Sequence, residues 1–366
     1  MFKSESKSQA QKQALLDPSN EAYQNFINSL KSKTSRRIYS YTFKKYLNDN
    51  KVTIDTLLNL PVKDSEQLLI KNIERLKAIN RSHSACNVLF CVIKHFYIMN
   101  NILINKERVS KFLGESGRKN KYRPYTHEEI KKILDVADLR MKSVILLMAS
   151  TGIRVGQIPE LKLKHLQDIP DKKIYKITVY EKSKEEYYTF CSSEAYAAIQ
   201  SYLNYRKNCG EILEDESYLI REQFDINDFE QIRKKSRKIA KSTLKVNIHT
   251  LLRKAGLREV DPNFKFGDRN LIPMSHGFRK FWMTQAVKSK MPHEQREMLL
   301  GHKIGLASAY YRPSEDDLLD AYLVAVDNLT INEENRLKKK VDELQVKYDK
   351  IDALVSRIDY LEKQLK

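Results

Sequence analysis

At 366 residues the chain is long enough for two or three domains, each burying a core of its own. Its 66 lysines and arginines against 47 aspartates and glutamates leave a formal net charge of +19. Such an excess favours an acidic polymer as partner, because each cation near a phosphate releases condensed counterions. Four cysteines without a CxxC pair or a His/Cys cluster argue against a disulfide framework or a structural zinc.

Residues 1–17 are polar, lack the apolar core of a signal peptide and are expected to be disordered. The apolar runs, such as 144–149, are far too short to span a bilayer. No membrane association is expected, and a cytoplasmic, nucleoid-associated location is. Only ten glycines and nine prolines predict a mainly α protein with few tight turns. Residues 18–113 carry helical spacing: Tyr23, Phe26, Ile27 and Leu30 form one stripe, and Ile38, Tyr41, Thr42 and Lys45 continue it. The cations on these helices, among them Arg36, Arg37 and Lys44, suit a small DNA-gripping bundle. Residues 114–124 read as a linker, with two glycines, a closing proline and a basic run that includes Lys119 and Lys121. Thr126 and Glu129 then form a capping box that opens a second domain over 125–328.

Within that domain, 173–191 is a β hairpin: two runs rich in Ile, Val, Tyr and Thr flank a charged tip with Lys182 and Lys184. It predicts a small antiparallel sheet in an otherwise helical domain. Residues 195–207 are amphipathic, and 231–254 read as one helix crowded with cations, including Arg233, Lys234 and Arg237, that suit phosphate contact. In the tail, 331–366, Leu337, Leu344, Ile351, Ile358 and Leu365 recur every seven residues, with Val341, Tyr348 and Val355 in the alternate seam position. That spacing predicts a coiled coil, the plainer alternative being a long helix packed on its own domain.

Three islands carry chemistry. In TGIRVGQ, at 151–157, a glycine turn presents Arg154. In HGFR, His276 and Arg279 lie three apart on one face of a helical turn, able to address one anion together. In LLGH a tight Gly-His turn places His302 nine residues before Tyr311, with Tyr310 beside it. Neighbours on a helix point about 100° apart, so only one of the two tyrosines can face a common target.

The order of these pieces, Arg154, a lysine-tipped hairpin, HxxR, LGH and then tyrosine, resembles the tyrosine recombinase (phage integrase) family over about residues 115–325, and the LASAYYRP stretch is similar to archaeal members. The resemblance implies a helical core-binding domain followed by a DNA breaking-rejoining catalytic domain. It implies that Arg154 and Arg279 clamp the scissile phosphate and that His276 exchanges a proton with the tyrosine. Lys182 or its rival Lys184 protonates the leaving 5′ oxygen, His302 binds the phosphate, and Tyr311 is the nucleophile. The product is a 3′-phosphotyrosyl link that conserves the phosphodiester energy, so no cofactor, metal or ATP is implied. Expected partners are double-stranded DNA, further copies of the chain (a tetramer on DNA) and accessory DNA-bending proteins. A type IB topoisomerase or a non-catalytic DNA-binding protein is the alternative. The family's acidic residue three after the first arginine is here Gln157, with Glu160 too far along to replace it.

Overall fold

A computed structural model describes residues 17–115, 122–233, 236–258, 272–304 and 313–337, and in the tail 341, 344–345, 348–352 and 354–355. Tyr310, Tyr311, Lys119, Lys121 and Lys234, the side chain of Arg233, and the predicted disorder of residues 1–16 lie outside the described residues. The chain divides after residue 120 into two compact units.

The first unit is helical: α1 (Glu21–Asn28), α2 (Lys33–Asn50), α3 (Ile54–Asn59), α4 (Val62–Ala78), α5 (His83–Met99) and α6 (Lys106–Lys111). Five of the six starts are written locally by a cap, for the side chains of Asn20, Ser32, Thr53, Ser82 and Asn105 accept backbone N–H groups that helix geometry leaves without a partner, whereas α4 begins after Pro61 without one. Phe26, Phe43 and Phe96 from α1, α2 and α5 close the core, with ring centroids 4.4 to 5.7 Å apart. The apolar stripe expected on α2 is rotated. Phe43, Tyr46 and Leu47 point inward, while Tyr41 is 71% exposed and Ile38 43%. The larger aromatic face at i, i+3, i+4 wins the core because it removes more apolar area from water. Arg36, Arg37 and Lys44 on α2 are exposed.

The second unit contains α7 (His127–Asp135), α8 (Leu139–Thr151), a three-stranded sheet, and then α9 (Ser193–Asn208), α10 (Phe229–Arg233), α11 (Lys241–Lys254), α12 (His276–Lys288), α13 (His293–Leu299) and α14 (Glu315–Leu329). The Thr126–Glu129 capping box is present, and Arg123 grips Glu129 with both terminal guanidinium nitrogens. The apolar helix α8 is the centre of the core: Val144, Ile145, Leu147 and Met148 are fully buried, and Tyr322 of α14 donates to the Ser150 carbonyl.

The expected hairpin is β2 (Ile174–Val179) with β3 (Tyr187–Phe190), and the sequence reading missed the antiparallel edge strand β1 (Leu166–Ile169). Its four residues, with burial on neither face complete, carry too weak an alternation to stand out. The single helix expected over 231–254 is broken. Residues 236–240 are not helical: the Glu222 N–H donates to the Arg237 carbonyl, and Arg221 is bridged to Lys238. Those backbone groups are used sideways, so α11 begins only at Lys241.

Beneath this bridge lies a buried ion network. Glu211 receives Arg206 through both oxygens, at 2.6 and 2.9 Å, and Arg221 at 2.8 Å, with all three side chains at most 4% exposed. Arg206 also donates both Nη1 protons to the carbonyls of Tyr218 and Leu219, so four of its five N–H groups are engaged.

After α14, Ile331 is buried, and the Glu194 carboxylate receives the N–H groups of Ile331 and Asn332 at 2.7 and 2.8 Å and the Asn335 amide at 3.1 Å. This contact holds the residues just before the tail helix, whose start is capped by the Asn332 side chain accepting the Glu334 N–H at 2.9 Å. Leu337, Val341, Leu344, Tyr348, Ile351 and Val355 of the heptad seam stay 47 to 65% exposed. Among the described residues no helix is long and apolar enough to cross a membrane.

Candidate active site

The C-terminus of α8 sets the first piece. Gly152 closes the helix at φ +63°, and a Cβ there would lie 2.6 Å from Leu300 and 3.2 Å from Trp282. Only glycine satisfies both the backbone and the contact. The chain turns sharply, with Gln157 N–H donating to the Arg154 carbonyl, and Arg154 projects outward at this turn.

The second piece is α12, whose first turn carries His276 and Arg279. Arg279 is 6% exposed. Its Nη1 donates to the Gly152 carbonyl and its Nη2 to the Leu300 carbonyl, each at 2.8 Å, and Nη2 also meets Nε2 of His302 at 2.7 Å. Three islands far apart in sequence therefore converge on one guanidinium.

The third piece is the end of α13. Gly301 N–H donates to the Met298 carbonyl and His302 N–H to the Glu297 carbonyl, the paired closure that ends a helix through a left-handed glycine. Gly301 has φ +66°, and a Cβ would strike the Tyr187 ring at 2.4 Å. The same closure folds His302 back over its own helix, where Nδ1 meets the Glu297 carboxylate at 2.5 Å.

These pieces border an open cavity of about 520 Å³ lined by Arg154, Lys184, Tyr187, His302 and Lys303 among others. Of the two hairpin lysines, Lys184 lines it; Lys182 stands at the tip with φ +61°, its N–H donating to Glu186. Tyr187 packs below. Burial pushes its phenol up, and the charges of Arg279 and Arg154 pull the other way. Desolvation lowers the Arg279 guanidinium, and the like charge of Arg154 lowers it further, although it remains protonated. Two cations that disfavour each other beside an open cavity make a site suited to an anion. His276 is held below the ordinary imidazole value by desolvation first, then by Arg279, Lys280 and Arg154, so it is a neutral proton acceptor at pH 7.

Sequence reasoning missed Glu297 and Tyr187. Glu297 sits five residues before His302, a spacing that becomes a contact only once the Gly301 closure forms. Glu160 does not replace the acid missing at Gln157, for its carboxylate is engaged by Lys238 at 2.7 Å and Lys241 at 3.6 Å. Of the proposed DNA contacts in this unit, Arg237 is 83% exposed and loosely paired with Glu222 at 3.2 Å. Among the described residues no group of three or more His, Cys, Asp and Glu is placed to hold a metal ion.

Solved structures with this fold include the Tn1549 transposon integrase in complex with circular intermediate DNA, which is 14% identical, with a TM-score of 0.53 over 82% of this chain and 98% of that one. A XerH site-specific recombinase bound to palindromic difH substrate is also 14% identical, with a TM-score of 0.51 over 85% and 80%. A lambda integrase dimer bound to a COC′ core site is 14% identical, with a TM-score of 0.51 over 79% and 94%. No curated protein matches the chain. The sequence signature of the phage integrase family matches residues 124–316, more than half of the chain and all three islands, and the protein belongs to that family.

Proposed function

We propose that this chain cuts and rejoins DNA at a defined site through Tyr311. As a phage integrase family member it is a tyrosine-type site-specific recombinase. The observation that carries the residue assignment is the convergence of Gly152, Leu300 and His302 on the buried Arg279. In this reading Arg279 and Arg154 hold the non-bridging oxygens and stabilise the charge that gathers on them at the transition state. The Tyr311 oxygen attacks phosphorus, His276 takes its proton, and the bond to the 5′ oxygen breaks. Lys184, which lines the cavity, protonates that leaving oxygen; Lys182 is the other candidate. Reversal by a 5′ hydroxyl restores the phosphodiester without ATP.

The first unit and the basic strap grip the duplex, with Arg36, Arg37, Lys44, Lys119 and Lys121 on phosphates, and Arg233, Lys234 and Arg237 add contacts from the second. Residues 331–366 pair with the same segment of another copy, consistent with a tetramer on two duplexes. The protein acts on DNA in the cytoplasm, with accessory bending proteins where the site requires them.

The test is a nicked duplex that traps the covalent intermediate, drawn from a random-sequence pool and run on a denaturing gel. A band is expected for the unaltered protein and for Tyr310→Phe, and none for Tyr311→Phe. A band that persists in Tyr311→Phe and vanishes in Tyr310→Phe overturns the nucleophile. Robust plasmid relaxation by single protomers without sequence preference favours a topoisomerase instead.

A further inference from the structure

Arginine has five N–H donors and no acceptor. At 2.7 Å from Arg279 Nη2, the His302 Nε2 atom must therefore accept, and so it carries no proton. The imidazole proton lies on Nδ1 and is donated to Glu297 Oε2 at 2.5 Å. His302 is thus fixed from both ends: a guanidinium sets one nitrogen and a carboxylate the other. The helix closure fixes the backbone of Glu297 against that of His302, because its carbonyl receives the His302 N–H at 2.9 Å, so the carboxylate is rooted within reach of Nδ1.

A phosphodiester offers only acceptor oxygens. If one takes the Arg279 Nη2 proton now given to His302, the Nε2 lone pair is left facing an anion. His302 can join the grip only by gaining one proton from solvent at Nε2, with no other bond made or broken, and the imidazolium then has the Glu297 carboxylate behind it. The groups around it otherwise oppose a positive charge: Arg279 from α12, and Arg154, Lys184 and Lys303 around the cavity. The hairpin carboxylates Glu185 and Glu186 also line the cavity, and Glu186 is tied to the Lys182 amide.

We propose that Glu297 is a positioning residue that fixes the Nδ1–H tautomer of His302 and balances the proton His302 gains when a phosphodiester displaces it from Arg279. This rests on the reading that the cavity takes the scissile phosphate, and two measurements separate the parts. The first uses the full chain without DNA and reads the imidazole nitrogens by ¹⁵N NMR. His302 is expected as the Nδ1–H form in the unaltered protein and in Glu297→Gln, and as a mixture in Glu297→Ala, where the ring has lost its second anchor and can turn away from Arg279 Nη2. An Nε2–H form in the unaltered protein overturns the proposal.

The second measures single-turnover covalent attachment to the random-sequence pool of nicked duplexes between pH 5.5 and 9. Glu297→Gln keeps a hydrogen-bond acceptor and loses the charge. Its alkaline decline is expected to move to lower pH by about one unit, with attachment at pH 8 reduced about tenfold, and Glu297→Asp is expected to restore both. A Glu297→Gln profile that coincides with the unaltered one overturns the proton coupling. If the unaltered protein attaches to no duplex at any pH, the recombinase reading and the coupling fall together, while the tautomer assignment is judged by the NMR alone.

Discussion

Arg279 Nη1 donates to the carbonyl oxygen of Gly152 at 2.8 Å across 127 positions of sequence, so the second arginine of the site is held by the backbone turn that presents the first. Lysine cannot reproduce this, since its ammonium lacks the planar fork that reaches Gly152, Leu300 and an anion together. Arg279→Lys is expected to lower single-turnover cleavage by about 10² to 10³, the scale for removing one preorganised donor. DNA affinity, carried by many phosphate contacts, changes little. Filter binding beside the covalent trapping assay checks both, and a parallel loss of affinity and cleavage contradicts this.

Gly152→Ala acts on the same turn by a different route. The residue must keep φ +63°, and its new methyl group must displace Leu300. A loss of about 1–3 kcal/mol in unfolding free energy is expected, read from urea denaturation. An unchanged midpoint contradicts the close packing at that turn.

The lowered His276 gives a pH prediction with a definite sign. A base works while neutral, so activity is lost as pH falls through its pKa, which lies below the ordinary imidazole value. The acid limb of the cleavage profile is therefore expected below that value. Lys280→Met removes one of the cations responsible and is expected to move the limb to higher pH. A limb that stays in place or moves down contradicts the assignment of His276.

The Arg206–Glu211–Arg221 network is expected to matter for stability and not for chemistry. Glu211→Gln leaves two buried guanidiniums facing a neutral amide and is expected to destabilise the fold by about 3–5 kcal/mol. Although burial alone raises the Glu211 pKa, both arginines bring it below the usual carboxylate value. Its stabilising contribution is therefore present above the unfolded-state value and lost as pH falls through the folded one. Denaturant melts from pH 3 to 7 test this, with cleavage per folded molecule unchanged.

The tail can be removed without touching the core only after the buried Ile331. Truncation to residues 1–336 is expected to reduce the assembled mass on DNA, with folding retained. Light scattering with and without a bound duplex measures it. Equal masses for the two chains contradict pairing through the tail.

Much of the site was legible because it depends on local rules. The Thr126–Glu129 capping box, the 173–191 hairpin, and the Gly152 and Gly301 turns are all written within a few residues. What the sequence concealed is long-range or depends on direction. Arg221–Lys238 pairing breaks a run of helix-forming residues, and α2 turns Phe43 inward where the Ile38 spacing suggested another face. Lys182 and Lys184 could not be separated by spacing, since the hairpin tip decides which one borders the cavity. Glu297 was hidden differently: as one of the exposed-looking charges of a short helix, it gains meaning only when the glycine closure sets His302 above it.

The three hydrogen bonds that anchor Arg279 have a thermodynamic consequence. An arginine side chain normally gives up about 2 kcal/mol of rotamer entropy when it is immobilised, and here that loss is incurred when the second unit folds. A phosphate that arrives later meets a group with little freedom left to surrender. Removing either carbonyl anchor would thus shift the ordering onto the binding step, which would then show a more unfavourable entropy even at unchanged contact distances.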